Sequence, residues 1–237
     1  MGRHGSDDGG PHGDLPPAAF LGALSHAIRS PLGVLKGAFD EVADSSAAQE
    51  LGPLLPMVER NLAKLERLAR DLMRVRDLEA GTLCVEAGPC DLGSLLRTSV
   101  GTQALRHRVD MDVQDSGPLV HADLDLLDEA VRRVLDNADR FAASRILIGT
   151  RADDDGVLLT IEDDGPGVEP ERRERVFDRS LSAGQRGASG DLAFGLPIAR
   201  ELLRAMEGDV SLQASQSGLG GACCGLRLRH ASEEKAP

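Results

Sequence analysis

The most constraining feature of this chain is a change in the spacing of its apolar residues at Gly81. Before it, Leu21, Leu24, Ile28, Leu32, Leu35 and Phe39 recur at steps of three and four, the mark of a helix with one apolar face. A polar stretch from Asp40 to Glu50 interrupts the pattern. A longer stripe then runs through Leu51, Leu55, Val58, Leu62, Leu65 and Leu72, with Glu59, Arg60, Lys64, Glu66 and Arg67 on the other side. Its spacing approaches the 3.5-residue repeat of packed helices, and Gly81 fits a helix C-cap. Two such helices joined by a short loop form an antiparallel hairpin. One hairpin has little to bury its stripes against, whereas two make a four-helix bundle, so a homodimer is expected.

After Gly81 the pattern becomes short strand-like runs alternating with helices. Strands are expected at 82–86, 108–113, 145–151, 156–162 and 222–229, and helices at 91–105, 123–141 and 195–206. Asp155-Gly156 between two β-branched runs predicts a hairpin turn. The fold class that follows is α+β, a helical hairpin and then a two-layer α/β sandwich. The expected organisation is a disordered lead-in at 1–17, a hairpin at 18–81 and a second domain at 82–229. Within it the Gly-, Ser- and Ala-rich stretch of about 178–194 has the texture of a lid, and a flexible tail follows at 230–237.

Composition excludes several classes. The formal net charge of −12 disfavours nucleic-acid binding and docking on an anionic membrane, and Arg carries nearly all the positive charge, since Lys is limited to Lys36, Lys64 and Lys235. No run of about 18 apolar residues is present, and Met1 to Pro17 lacks the apolar centre of a signal peptide, so the expected location is cytoplasmic, without membrane insertion or a membrane sensor. Cys84, Cys90, Cys223 and Cys224 form no C-x-x-C pair and read as reduced thiols. With no Trp and no Tyr, the core must rest on Leu, Val, Ile and Ala.

Four short motifs carry the chemistry. His26 stands in Ser25-His26-Ala27-Ile28-Arg29-Ser30-Pro31-Leu32, roughly 200° around the helix from Leu24 and so off the apolar stripe. Asn137 lies in Arg133-Val134-Leu135-Asp136-Asn137-Ala138-Asp139-Arg140-Phe141. Asp163-Asp164-Gly165-Pro166-Gly167 follows a strand, and Ala193-Phe194-Gly195-Leu196 opens a helix. Each alone has a bland reading: an exposed helical His, a helical Asn, a surface turn, a helix start. Glycines beside a strand-end carboxylate suit close backbone approach to a ligand, and a helix N-terminus suits a phosphate.

In this order the motifs resemble those of the bacterial sensor histidine kinases, and Leu78-Glu79-Ala80-Gly81 resembles the close of that family's second dimerisation helix. The resemblance covers about residues 18–229. It implies a GHKL-type ATP-binding domain after the hairpin, with ATP and Mg²⁺ as cofactors. His26 would be the phosphoacceptor, and Asn137 would bind Mg²⁺. Arg140, Phe141, Asp163, Gly165, Gly167, Gly195 and Leu196 would bind ATP, with Phe141 against adenine and Asp163 accepting from its exocyclic amine. The partner implied is a response regulator receiver domain, whose Asp takes the phosphoryl group. Ser30 keeps a hydroxyl at the position linked to dephosphorylating that partner.

Four positions depart from the family pattern. Ala27 replaces a carboxylate, Arg133 a polar residue one turn before Asn137, Ala193 a glycine and Ser180 a phenylalanine. Arg133 could replace some of the lost charge stabilisation in catalysis. These departures leave open a second reading, a dimeric phosphotransfer adaptor or pseudokinase that works with other histidine kinases. A third, an ATPase or chaperone of the same superfamily, leaves the His26 motif unexplained.

Overall fold

The computed structural model of the protein describes residues 28–38, 51–113, 117–178 and 194–231. Helix α1 covers residues 28–38 and helix α2 runs Leu51–Glu79, 29 residues long. Its end is closed at Gly81, which adopts φ 61° while Thr82 N–H donates to Asp77 O at 3.0 Å. That 6→1 bond across a left-handed residue is how a helix satisfies its last carbonyls.

Strand β1 (Gly88–Asp91) leads into α3 (Leu92–Thr102), whose first turn is capped by Asp91 accepting from Gly93 and Ser94 N–H. Strands β2 (Arg108–Asp112) and β3 (Leu119–Ala122) follow, then α4 (Leu124–Phe141), capped in the same way by Asp123. A hairpin of β4 (Arg145–Asp153) and β5 (Gly156–Asp163) comes next, then the short α5 (Pro170–Arg173) and a single 3-10 turn at Arg175–Phe177. Helix α6 (Gly195–Ala205) and strands β6 (Asp209–Ala214) and β7 (Ala222–Leu228) complete the fold.

Five strands form one sheet in the order β2-β4-β5-β7-β6, with β2 parallel to β4 and all other neighbours antiparallel. Strands β1 and β3 form a separate antiparallel pair. One face of the large sheet offers Ile146, Ile148, Leu159, Ile161 and Leu226. It packs against Leu127, Val131, Val134 and Leu135 of α4 and Ile198, Leu202 and Leu203 of α6, all with no more than 1% of their surface exposed. The α+β class and the two-layer sandwich after a helical region are as expected.

Several details differ from the sequence expectation. Residues 82–86 are not a strand, because the four residues of β3 pair with Gly88–Asp91 and Glu86 N–H instead meets the Asp123 carboxylate at 2.8 Å. The short strands β3 and β6 were not anticipated. The β4–β5 hairpin exists, but its loop is Asp154-Asp155, and Gly156 is the first residue of β5. A Cβ on Gly156 would sit 2.3 Å from the carbonyl oxygen of Leu228, so the glycine answers close approach to β7 rather than the turn. Pairing also reaches one residue into the expected tail, with His230 bridged to Val120. Cys90, Cys223 and Cys224 are buried free thiols, and Cys84 is exposed.

Candidate functional site

The sequence motifs of the second domain meet along the C-terminal half of α4. A Cβ on Gly165 would lie 2.2 Å from the carbonyl oxygen of Phe141, so the turn after β5 rests directly on the end of α4. A Cβ on Gly195 would lie 3.7 Å from the carbonyl oxygen of Arg133, which puts the start of α6 beside α4 one turn before Asn137. Thus Asn137, Arg140 and Phe141 from α4, Asp163, Gly165 and Gly167 from the β5 end, and Gly195 and Leu196 from α6 share one edge of the sandwich.

Asp163 is 4% exposed, and its Oδ1 accepts from Gly165 N–H at 2.9 Å and Ala222 N–H at 3.3 Å. Burial pushes its carboxyl above the usual range, further than these two bonds pull it down. Its neighbours approach so closely that they have no room for side chains. A Cβ on Gly221 would come within 2.5 Å of Asp163 Oδ1. Gly167 adopts φ 71°, which L side chains rarely do, at the point where the turn passes Gly221. Gly221 belongs to this cradle and no local pattern announced it, since it lies in a run of glycines before β7.

Asp164 was quoted only as part of the motif, yet it fixes the turn. Its carboxylate accepts from the Ser144 hydroxyl at 2.5 Å and from the backbone N–H of Ala143, Ser144 and Arg145. The Ser144 hydroxyl, with those backbone donors, holds its carboxyl far below the ordinary carboxylate range. Asp164 therefore ties the turn to the α4–β4 connection that follows Phe141. Glu162, one residue earlier, accepts from Ser215, Gln216 and Ser217 and anchors the β6–β7 loop on the same edge.

Phe141 is exposed, and the Arg140 guanidinium lies 5.5 Å from its ring centre. Among the described residues the Asn137 side chain has no hydrogen-bond partner. The Leu196 side chain is buried in the core, so what this position offers to the edge is backbone. Phe194, at the N-cap of α6, makes no side-chain capping bond among the described residues. A helix start of this kind, a glycine cradle that a Cβ would fill and an exposed aromatic ring suit a nucleotide, with N–H groups for phosphate and apolar surface for a base. The Asn137 oxygen suits Mg²⁺, which takes few protein ligands when phosphates supply others.

Arg133 points elsewhere. Its Nη1 donates to Asp71 of α2 at 2.7 Å, and its Nε and Nη2 donate to Glu129 at 3.1 and 2.8 Å. Burial alone would pull its pKa down, but the Asp71 and Glu129 carboxylates raise it. Its charge is thus neutralised within the helix pair. Ser30 is exposed on α1. His26, Ala27, Ser180 and Ala193 lie outside the described residues, as do most of the expected lid and the lead-in.

Known proteins share this fold. Residues 122–232 match the family of histidine kinase-, DNA gyrase B- and HSP90-like ATPases. The two-component sensor PhoQ of Pseudomonas aeruginosa is 29% identical over 88% of this chain and 45% of its own length. The histidine-protein kinase BaeS of Escherichia coli is 29% identical over 88% of this chain and 46% of its own. The chain therefore spans under half the length of these relatives. Among solved structures, the histidine kinase AdeS of Acinetobacter baumannii superposes with a TM-score of 0.68 at 18% identity, covering 87% of this chain and 98% of that one. Full-length ShkA, solved with AMPPNP, gives 0.63 at 22% identity, covering 92% of this chain and 47% of its own. Residues 122–232 thus match the histidine kinase-, DNA gyrase B- and HSP90-like ATPases, and most of the chain is similar to sensor histidine kinases.

Proposed function

We propose that the protein is an ATP-dependent histidine kinase that labels itself at His26 and passes the phosphoryl group to an Asp of a response regulator receiver domain. The observation that carries this reading is the convergence of Asn137, Phe141, Asp163, Gly165 and Gly195 on one edge, in the family's order and around a glycine-lined cradle.

Adenine would lie over Phe141, with Asp163 accepting from its exocyclic amine. The phosphates would meet Arg140 and the backbone N–H groups at the start of α6. Mg²⁺, held through Asn137, would neutralise charge developing on the β- and γ-phosphate oxygens. A ring nitrogen of neutral His26 attacks the γ-phosphorus. The N–P bond forms as the bond to the β,γ-bridging oxygen breaks, ADP leaves, and the imidazole proton passes to solvent, since Ala27 has no carboxylate to take it. Because phosphoryl transfer rests mainly on positioning and charge neutralisation, this loss slows the step rather than abolishing it. The neutralisation of Arg133 by Asp71 and Glu129 supports the kinase reading over the adaptor reading, because a free positive charge beside Asn137 was one motive for the adaptor.

Among the described residues no helix is long and apolar enough to cross a membrane, and we place the catalytic edge in the cytoplasm, where ATP is found. The protein and a His26→Ala variant, incubated with γ-labelled ATP and Mg²⁺, test the proposal. Acid-labile, base-stable label on the first alone is expected. Absence of label on both would favour the adaptor reading.

A further inference from the structure

Asp163 is the middle of three consecutive acids, Glu162-Asp163-Asp164, and the outer two hold different parts of the chain. Glu162 and Asp163 end strand β5, so their side chains leave opposite faces of the sheet. Glu162 is buried, and its Oε2 accepts from the Ser215 and Ser217 hydroxyls at 2.7 and 2.8 Å. The same oxygen accepts from Gln216 and Ser217 N–H at 3.1 and 3.2 Å. Ser215 N–H in turn donates to Gly221 O at 2.9 Å, which closes the β6–β7 loop on itself. A Cβ on Gly221 would meet Asp163 Oδ1, so this loop is one wall of the Asp163 cradle, and Glu162 holds it. Asp164 holds the other wall. Its Oδ1 accepts from Ala143, Ser144 and Arg145 N–H at 2.9, 2.9 and 3.1 Å, and its Oδ2 from the Ser144 hydroxyl. The connection so held leaves α4 at Phe141, whose carbonyl lies against Gly165. Burial would raise the pKa of Glu162, but its hydrogen bonds outweigh that, and the Ser144 hydroxyl holds Asp164 low, so both outer acids sit in their bonds as anions.

We propose that Glu162 and Asp164 are positioning residues that fix the two walls of the Asp163 cradle and thereby set the preference of the site for adenine over guanine. The proposal rests on the nucleotide site of the kinase reading above. Adenine carries an exocyclic amine, a donor, where guanine carries a carbonyl oxygen, an acceptor. A carboxylate oxygen of Asp163 accepts from the first and repels the second. A buried polar group discriminates strongly between such bases only when its geometry is fixed, because hydrogen bonds weaken steeply with distance and angle. The spacing that matters runs from Asp163 to the Phe141 ring on one side and to the Gly221 backbone on the other. Neither outer acid touches the base, and each acts through the segment that it holds.

Calorimetric titration of the full chain with Mg-ATP and with Mg-GTP tests this. Asp164→Ala is expected to weaken ATP binding by roughly tenfold and GTP binding by less than about twofold, so that the ratio of the two affinities falls. Asp164→Asn keeps an oxygen for the three backbone N–H groups and offers its amide to the Ser144 hydroxyl oxygen. It should bind ATP within about threefold of the original. Both changes remove the same charge, so the difference between them is one of geometry. Glu162→Ala and Glu162→Gln should repeat the pattern through the other wall. Should Glu162→Ala fail to fold, Ser215→Ala with Ser217→Ala withdraws both hydroxyl donors and carries a smaller fall in the same ratio. Equal weakening of ATP and GTP binding would overturn the proposal, since the outer acids would then serve the fold alone. ATP binding that ignores the Ala variants would overturn it as well. If the unaltered protein binds neither nucleotide, the nucleotide site fails and this proposal with it. If it binds ATP but never labels at His26, only the kinase step fails, and the ratio still decides the role of Glu162 and Asp164.

Discussion

Asp163 shows how function and stability oppose each other within one side chain. Burial raises its folded-state pKa above the value of an unfolded Asp. The ionised form therefore costs stability at neutral pH, and that cost is relieved as pH falls through the raised value. Asp163→Asn removes the cost while keeping an oxygen to accept from Gly165 and Ala222 N–H. Because that oxygen is committed to the backbone, the new amide NH₂ must take the other carboxylate position. A donor would then face the adenine amine, itself a donor. The variant is expected to unfold at the same or a higher urea concentration than the original at pH 7, yet to bind ATP at least about tenfold more weakly, a loss of ~1.4 kcal/mol. Calorimetric titration alongside urea unfolding checks this, and undiminished ATP binding would remove Asp163 from the site.

At the scale of elements, helices α1 and α2 leave apolar side chains exposed among the described residues. Leu32 of α1 and Leu55, Leu62 and Met73 of α2 are each about half exposed or more in the single chain. An amphipathic helix that leaves its stripe in water gives up most of the driving force for being a helix. A second hairpin would bury these residues, at ~1.5–3 kcal/mol for each side chain fully covered. Leu55→Asp with Leu62→Asp should therefore halve the mass measured by light scattering, and a wild type already monomeric at micromolar concentration would refute the bundle. The same elements show what a sequence reveals. The stripes, the Gly81 cap, the Asp123–Phe141 helix and the Asp163-x-Gly165-x-Gly167 turn were legible because each is written in consecutive or helically spaced residues. The β1–β3 pair was not, since four-residue strands separated by α3 and β2 carry no period of their own. Nor were the contacts that finish the site. Asp164 reaches back 20 residues to Ser144, and Arg133 reaches back 62 to Asp71. Ser144 and Asp71 read in sequence as ordinary surface polar residues, and neither the motif that contains Asp164 nor the departure at Arg133 points to them, so only the fold pairs them.

Over the whole molecule, acidic side chains are used as connectors, and this decides how the protein responds to acid. The Ser94 hydroxyl holds Asp91 below the carboxylate range. Burial would raise Asp139, Glu162 and Asp209, but hydrogen bonds, from Arg106 and His107, from Ser215 and Ser217, and from Arg200 respectively, outweigh it and hold them low. Each depressed group contributes stability that is fully present above the unfolded carboxylate pKa of about 4 and is lost as pH falls through the lower folded value. Asp163 runs the other way but is a single group. The net charge of −12 complicates any absolute curve, because protonation also relieves repulsion among carboxylates. Comparing a variant with the original at each pH cancels that shared effect. Asp139 is the group to change, because its oxygens accept from Arg106 N–H and Nε and from His107 N–H at 2.9 to 3.0 Å, and the residue is buried. Asp139→Asn should lower stability at pH 7 by ~2 kcal/mol, the scale of a lost hydrogen bond to a charged group. Measured by urea unfolding, that difference should stay constant down to about pH 5 and shrink below about pH 4, as the unfolded carboxylate takes up its proton and then, through its lower folded value, the native one does. A difference that persists undiminished at pH 3 would mean that packing around residue 139, and not the charge on its carboxylate, ties the Arg106–His107 loop to α4.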